Sequence, residues 1–245
     1  MKHIRKPHRL LALACTGLAA AVLSGCFNPF SPVVLTQRVT TLAPSPTSPQ
    51  DAVKLFEWCW VNRGVEEYKE LFTDDYVFTS NVLDSAGNGG RDPITRRTDE
   101  IETAENMFIG SAERAPAAKI TLNFDRNLKP FPDPRVGKRD STRFYQTIRT
   151  SVDLKVDVDD GNSLEVTGYA LFYLVRGDVA LIPDELKLRF KPDSLRWWIG
   201  RWEDETLPNS GLVAGSTRAR ARPTATQGIV FPMSMAEVKR FFKAN

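Results

Sequence analysis

The sequence predicts an α+β domain, a curved antiparallel sheet with about three N-terminal helices on one face, plus a signal peptide and flexible tails. Three observations predict it. Apolar residues recur at three- and four-residue spacings early in residues 49–206, they alternate with polar ones later, and clusters of Gly, Pro and Asp punctuate the segments. Helices grouped ahead of strands give an α+β layout rather than an alternating one.

Ser48 is placed as an N-cap, Pro49 suits a first helical position, and Asp51 stands where a capping acid belongs. From there Val53, Phe56 and Trp60, with Ala52, Leu55 and Cys59, form one apolar face until Arg63-Gly64 ends the helix. Val65, Tyr68, Leu71 and Phe72 predict a second short helix, and Tyr76 to Thr79 a first strand. The stretch around Gly87, Gly89 and Gly90 reads as a loop; no Lys-Ser/Thr follows it, so it is not a phosphate-binding loop. Asp99, with Glu102 three residues on, opens a third helix through Met107 and Phe108 to Gly110, and Ile120, Leu122 and Phe124 alternate as a strand.

Ile148, Val152, Leu154, Val156 and Val158 alternate before the turn residues 159–163, predicting a hairpin. Pairing Val158 with Leu164, Val156 with Val166 and Val152 with Ala170 keeps apolar opposite apolar, whereas a one-residue slip sets Val156 against Glu165. The same test pairs Phe190 with Leu195, Leu188 with Trp197 and Leu186 with Ile199 around Pro192-Asp193, a second hairpin.

The first helix Ser48-Pro-Gln-Asp-Ala-Val-Lys-Leu-Phe, the segment Tyr68-Lys-Glu-Leu-Phe-Thr-Asp-Asp-Tyr-Val-Phe and the strand order together resemble the NTF2-like, cystatin-like cone family over residues 49–205. That family includes SnoaL-type cyclases, steroid-isomerase-like enzymes and many non-enzymatic modules, so the resemblance is specific for fold and not for function. It implies a cone around an apolar pocket. In the isomerase-like and cyclase-like members it further implies a pocket Asp base with Tyr or protonated Asp as hydrogen-bond donors, a chemistry that needs neither His nor metal.

The N-terminus carries a separate message. Lys2, Arg5, Lys6 and Arg9 precede an apolar run from Leu10 to Leu23, too short to span a bilayer but typical of an export signal. Leu23, Ser24, Gly25 and Cys26 then resemble the lipobox of bacterial lipoproteins, which implies cleavage before Cys26 and lipid attachment to its sulfur. Removing residues 1–25 takes four of 33 basic residues and none of 30 acidic ones, so the mature charge is −1 and the basic character of the precursor is no sign of a nucleic-acid partner. His3 and His8 leave with the signal, which removes Ser-His-Asp and Cys-His catalysis and His-based metal sites. Cys15 leaves too, so Cys59 remains with no disulfide partner, flanked by Trp58 and Trp60 and expected to be a buried, inert thiol.

The expected organisation is a signal peptide at 1–25, the lipidated Cys and a Pro-rich tether at 26–48, the cone domain at 49–206, a flexible tail at 207–233 bearing Arg218, Arg220 and Arg222, and a short helix at 234–245. No catalytic constellation emerges. Asp153 and Asp157 project away from the core face, Asp153 across from Tyr169; Asp74, Asp75 and Asp84 read as loop acids; Tyr76 reads as core. Tyr169, Leu171 and Tyr173, with Trp198 and Trp202, form an expected off-core aromatic patch accompanied by Lys187, Arg189 and Arg196. The patch would be covered by the chain's own C-terminal segment, whose capping box Ser234/Glu237 and apolar Val238, Phe241 and Phe242 predict a docked helix, or by a second subunit or an envelope protein. The expected function is therefore a lipid-anchored, extracytoplasmic binding or assembly module without cofactor or metal. Phe27, rather than Asp, after Cys26 favours the outer membrane. A His-free isomerase, cyclase or dehydratase acting on a small apolar carbonyl compound is the alternative.

Overall fold

The computed structural model describes residues 42–83, 89–91, 95–140, 142–158, 161–177, 195–206 and 229–243. The expected signal peptide, the expected lipobox with Cys26, the expected tether up to residue 41, Asp84, Gly87, the turn residues 159–160, the expected strand carrying Leu186, Leu188 and Phe190, and residues 207–228 of the expected tail lie outside them.

The first helix, α1 (Pro49–Asn62), starts as expected: the Ser48 hydroxyl oxygen accepts from the Asp51 backbone N–H at 3.1 Å. Its end differs in detail. The left-handed residue is Arg63 (φ 58°), held there because its guanidinium donates to the carbonyls of Ala117 (2.5 Å) and Ala118 (2.8 Å). Gly64 serves close approach instead, since a Cβ there would lie 2.5 Å from the Trp58 ring. Helix α2 (Val65–Lys69) is shorter than its apolar pattern, and Leu71 and Phe72 lead straight into strand β1 (Phe72–Leu83), four residues before the expected start at Tyr76. Gly89 and Gly90 are not in a loop but in β2 (Gly89–Arg91), paired with the end of β1. After β3 (Thr95–Arg96), helix α3 (Arg97–Ile109) begins two residues before Asp99, whose carboxylate accepts from the Arg96 backbone N–H at 3.4 Å.

The remaining described strands are β4 (Lys119–Phe124), β5 (Pro130–Pro132), β6 (Tyr145–Asp157), β7 (Ser163–Arg176), β8 (Trp197–Asp204) and β9 (Val230–Pro232). They form a curved sheet in the order β2-β1-β8-β7-β6-β4, with β3 on β1, β5 on β6 and β9 on β7. Most pairs are antiparallel, as expected, but β1 lies parallel to β8 and β9 parallel to β7. The α+β layout with three N-terminal helices on the sheet is the predicted one.

The β6–β7 hairpin corrects the predicted register by two residues. Val156 faces Leu164, Leu154 faces Val166, Thr150 faces Ala170 and Asp153 faces Thr167, while Tyr169 faces Ser151. Side-chain parity is unchanged by a two-residue shift, so apolar still meets apolar. Gly168, now opposite Val152, stands where the chain after β8 crosses β7: at φ 147°, a Cβ there would meet the Thr206 Cα at 2.8 Å. A second correction concerns β8. An extra residue, Gly200, sits between the Leu174–Ile199 and Tyr173–Arg201 pairs, and this bulge reverses the facing of everything after it. Trp197 and Ile199 point to the core before the bulge and Trp202 after it, so Trp202 is a core residue and not part of an outer patch.

The C-terminal segment adds β9 from within the expected tail, then helix α4 (Met235–Phe242) with the predicted Ser234/Glu237 capping box. At the centre of the core, the Phe56 ring contacts those of Trp60, Tyr68, Phe72, Phe124, Phe172 and Trp202 at centroid distances of 5.1–6.4 Å. Each such ring contributes about 1.5–3 kcal/mol by burial, and each well-oriented pair about 0.5–1.5 kcal/mol more. The inside of the cone is thus filled by aromatic side chains rather than left open.

Candidate functional site

One buried polar cluster interrupts this apolar interior. Helix α3 turns Glu100, Thr103, Ala104, Met107 and Phe108 inward at three- and four-residue spacings, which carries a carboxylate into the core at 1% exposure. The Tyr68 hydroxyl, from α2, donates to Glu100 Oε1 at 2.7 Å, and the Tyr76 hydroxyl, from β1, lies 3.2 Å from Oε2. The third donor comes from the far end of the chain, where Lys239 Nζ on α4 reaches Oε2 at 2.5 Å. Its ammonium also sits 3.5 Å from the centroid of Phe78 and 3.8 Å from that of Trp202, over the negative faces of both rings.

Burial and partners set the ionisation of this cluster. Desolvation, reinforced by the charge of Glu100, raises both phenols well above their ordinary range, so Tyr68 and Tyr76 stay protonated as donors. Desolvation lowers Lys239 to about 8, against the opposing pull of Glu100 and Asp204. Asp204, at the end of β8, is pushed up to about 6 by burial despite accepting from the Thr206 hydroxyl (2.7 Å) and backbone N–H (3.0 Å).

Helix α4 is fastened at both ends. The Thr206 hydroxyl accepts from the Met235 backbone N–H at 2.8 Å, and Asn106 donates its amide to the Phe242 carbonyl at 3.2 Å. Met235, Val238 and Phe242 are buried on the same face as Lys239. The predicted docking of this helix therefore holds, but its receiver is α3 and the mouth of the cone, not the outer sheet face. Phe241 is only partly buried, with the Arg114 guanidinium 4.0 Å above its ring.

A carboxylate with two phenols and an amine has the composition of an acid–base site. Here all four groups satisfy one another, and the gap between Trp60, Met107, Val238 and the Glu100–Lys239 pair has no space for a water molecule. A cleft of about 140 Å³ opens at the rim, where Phe78, Thr95 and Thr103 face Ala236, Lys239, Arg240 and Lys243, so that it reaches the lysine of the cluster but not the gap behind it. No group of three or more His, Cys, Asp or Glu side chains is arranged to hold a metal among the described residues.

The residues singled out from sequence scatter. Asp153 is exposed, Asp157 accepts from the Ser163 hydroxyl at 2.7 Å, and Asp74 and Asp75 are exposed, so none lines the cone. Cys59 is buried, and desolvation pushes its thiol up, as an inert residue requires. The expected aromatic patch is not one surface. Tyr169 is 45% exposed under the Arg149 guanidinium, Tyr173 and Trp198 are buried at 6% and 1% outside the main core, and Trp202 is in the core. The sequence reading missed Glu100 and Lys239. A signal for each was present: Glu100 heads the apolar stripe of α3, and Lys239 sits four residues after Met235 and one after Val238 on the apolar stripe of α4.

No family model matches the chain, and no curated protein matches it. Among solved structures, a conserved protein from Planctomyces limnophilus is 12% identical, with a TM-score of 0.42 over 64% of this chain and 92% of its own. An NTF2-like superfamily protein from Salmonella enterica serovar Typhimurium is 15% identical, with a TM-score of 0.40 over 67% of this chain and 92% of its own. A ketosteroid isomerase-like protein from Erwinia carotovora atroseptica is 12% identical, with a TM-score of 0.37 over 63% of this chain and 89% of its own. None of these likenesses carries an activity across to this chain.

Proposed function

We propose that this chain is a lipid-anchored, extracytoplasmic module of the bacterial cell envelope, held at the membrane through Cys26, whose cone-shaped domain binds or assembles rather than catalyses. The observation that carries the reading is the closed mouth of the cone. Lys239 of the chain's own terminal helix pairs with Glu100 beside Tyr68 and Tyr76, so the polar groups of the cluster are already engaged within the chain. The signal-like N-terminus and the Leu23-Ser24-Gly25-Cys26 sequence support the anchor, and the absence of Asp after Cys26 supports an outer-membrane address.

The second reading, a His-free isomerase, cyclase or dehydratase, draws support from the same carboxylate and phenols once α4 is lifted away. Two experiments divide these readings. Metabolic labelling with a radioactive fatty acid is expected to mark the chain, and Cys26→Ala to abolish the label and leave an unprocessed precursor; labelling of the variant removes the anchor. A thermal-shift screen of steroid-like, polyketide-like and other apolar carbonyl compounds is expected to leave Tm unchanged, and saturable stabilisation with turnover would establish the enzyme.

A further inference from the structure

The excursion between β4 and β6, described except at residue 141, is an arm that serves nothing described so far. Between Arg126 and Phe144 the chain carries six cations and two acids. One of the acids, Asp133, is fully buried and chelated by Arg135 through contacts of 2.6 and 3.0 Å, and the Arg135 guanidinium stacks 4.5 Å from the Tyr173 centroid. With Pro130, Pro132 and Pro134 restricting the backbone, the arm is pinned to the outer sheet face. It nevertheless presents Phe131 at 56%, Val136 at 101% and Phe144 at 43% exposure, interleaved with exposed Lys129, Arg139 and Arg143.

Exposed rings among cations suit the headgroup layer of an anionic bilayer, where the rings enter the interface and the cations meet phosphates. The topology brings the first described residues of the domain to the same place. The Pro46 carbonyl accepts from the Trp197 N–H at 2.8 Å, Trp197 pairs with Arg176, and the Arg176 N–H donates to the Phe144 carbonyl at 2.9 Å. The chain therefore enters the domain about three strand spacings, roughly 15 Å, from Phe144. We propose that this arm is a membrane-docking surface for anionic phospholipid, which turns the tethered domain so that the β6 start and β7 end face the bilayer. The proposal rests on the lipid-anchor reading for delivery to a membrane, but the surface stands on its own chemistry.

The test uses the full chain on vesicles of brominated phosphatidylcholine, alone or equimolar with brominated phosphatidylglycerol. Phe131→Trp adds an indole at the arm, read as the difference from the parent chain. On the mixed vesicles this indole is expected to shift to the blue and be quenched by bromine, and on the neutral vesicles to do neither. Each cation near an anionic surface strengthens attachment about fivefold, so adding Lys129→Glu, Arg139→Glu and Arg143→Glu is expected to abolish the quenching, and the three Gln replacements to weaken it. Equal emission on both lipids, or quenching that survives charge reversal, overturns the proposal. Flotation of the parent with neutral vesicles reads the anchor separately. A chain that does not float there but is still quenched on mixed vesicles loses the anchor reading and keeps the docking surface.

Discussion

Lys239 Nζ and Glu100 Oε2, 139 residues apart in sequence, meet 2.5 Å from each other inside the aromatic core and tie the last helix to the third. Removing one member of a buried ion pair strands the other, at a cost of about 3–5 kcal/mol, whereas replacing both by uncharged groups of similar shape is close to neutral. Lys239→Met is therefore expected to lose about 3–5 kcal/mol in urea unfolding, and Glu100→Gln with Lys239→Met to recover most of it. Additive losses in the double variant would mean that the two groups do not act as a pair.

Asp204 is expected to leave a pH signature. Its carboxyl titrates near 6 in the folded chain and near 4 when unfolded, so between those values the native state binds the extra proton. Stability from this group is then fullest at acid pH and falls as pH rises through that window, by roughly 3 kcal/mol in total. Relative to Asp204→Asn, which holds the Thr206 contacts without the charge, the parent is expected to gain Tm as pH drops from 7 to 5. A difference that stays flat with pH would show that burial does not raise this group.

Gly168 lets the Thr206 backbone cross β7 closely, and its test is steric. At φ 147°, with a Cβ that would lie 2.8 Å from the Thr206 backbone, Gly168→Ala is expected to cost about 1–3 kcal/mol although it adds one methyl group. Gly137→Ala shares a positive φ of 78° but meets nothing within 4 Å, so it controls for conformational strain alone. Equal losses at the two positions would remove the close approach as the cause.

These residues also show how far the sequence could be read. Apolar alternation fixes which face of β6 and β7 turns inward, yet it is blind to a shift of two, because side-chain parity is the same in both registers. The facing of Trp202 was inverted because one extra residue at Gly200 leaves no trace in periodicity. The C-terminal helix was legible from Ser234, Glu237 and Val238, but its receiver was not: a lysine on an apolar stripe reads as a surface residue until a buried carboxylate answers it. The lipobox-like residues Leu23 to Cys26 are the reverse case, an expectation from sequence that lies outside the described residues.

Removal of residues 234–245 would take the ammonium from Glu100 and bare Phe78 and Trp202. The truncated chain is expected to melt lower and to self-associate in sedimentation, through the open mouth of the cone rather than through Tyr169 on the sheet. An unchanged Tm and a monomeric profile would show that α4 is dispensable.

The most direct test of the closed cone is native-state hydrogen exchange at the backbone amides of α4. If this helix is a permanent wall of the core, the Val238 to Phe242 amides are expected to exchange as slowly as those of Leu154 and Phe172 in the central strands, opening only with the whole domain. Exchange of those α4 amides many-fold faster than that of the strands would mean that the helix lifts on its own, exposing Glu100, Tyr68 and Tyr76 to solvent and contradicting the closed, non-catalytic cone.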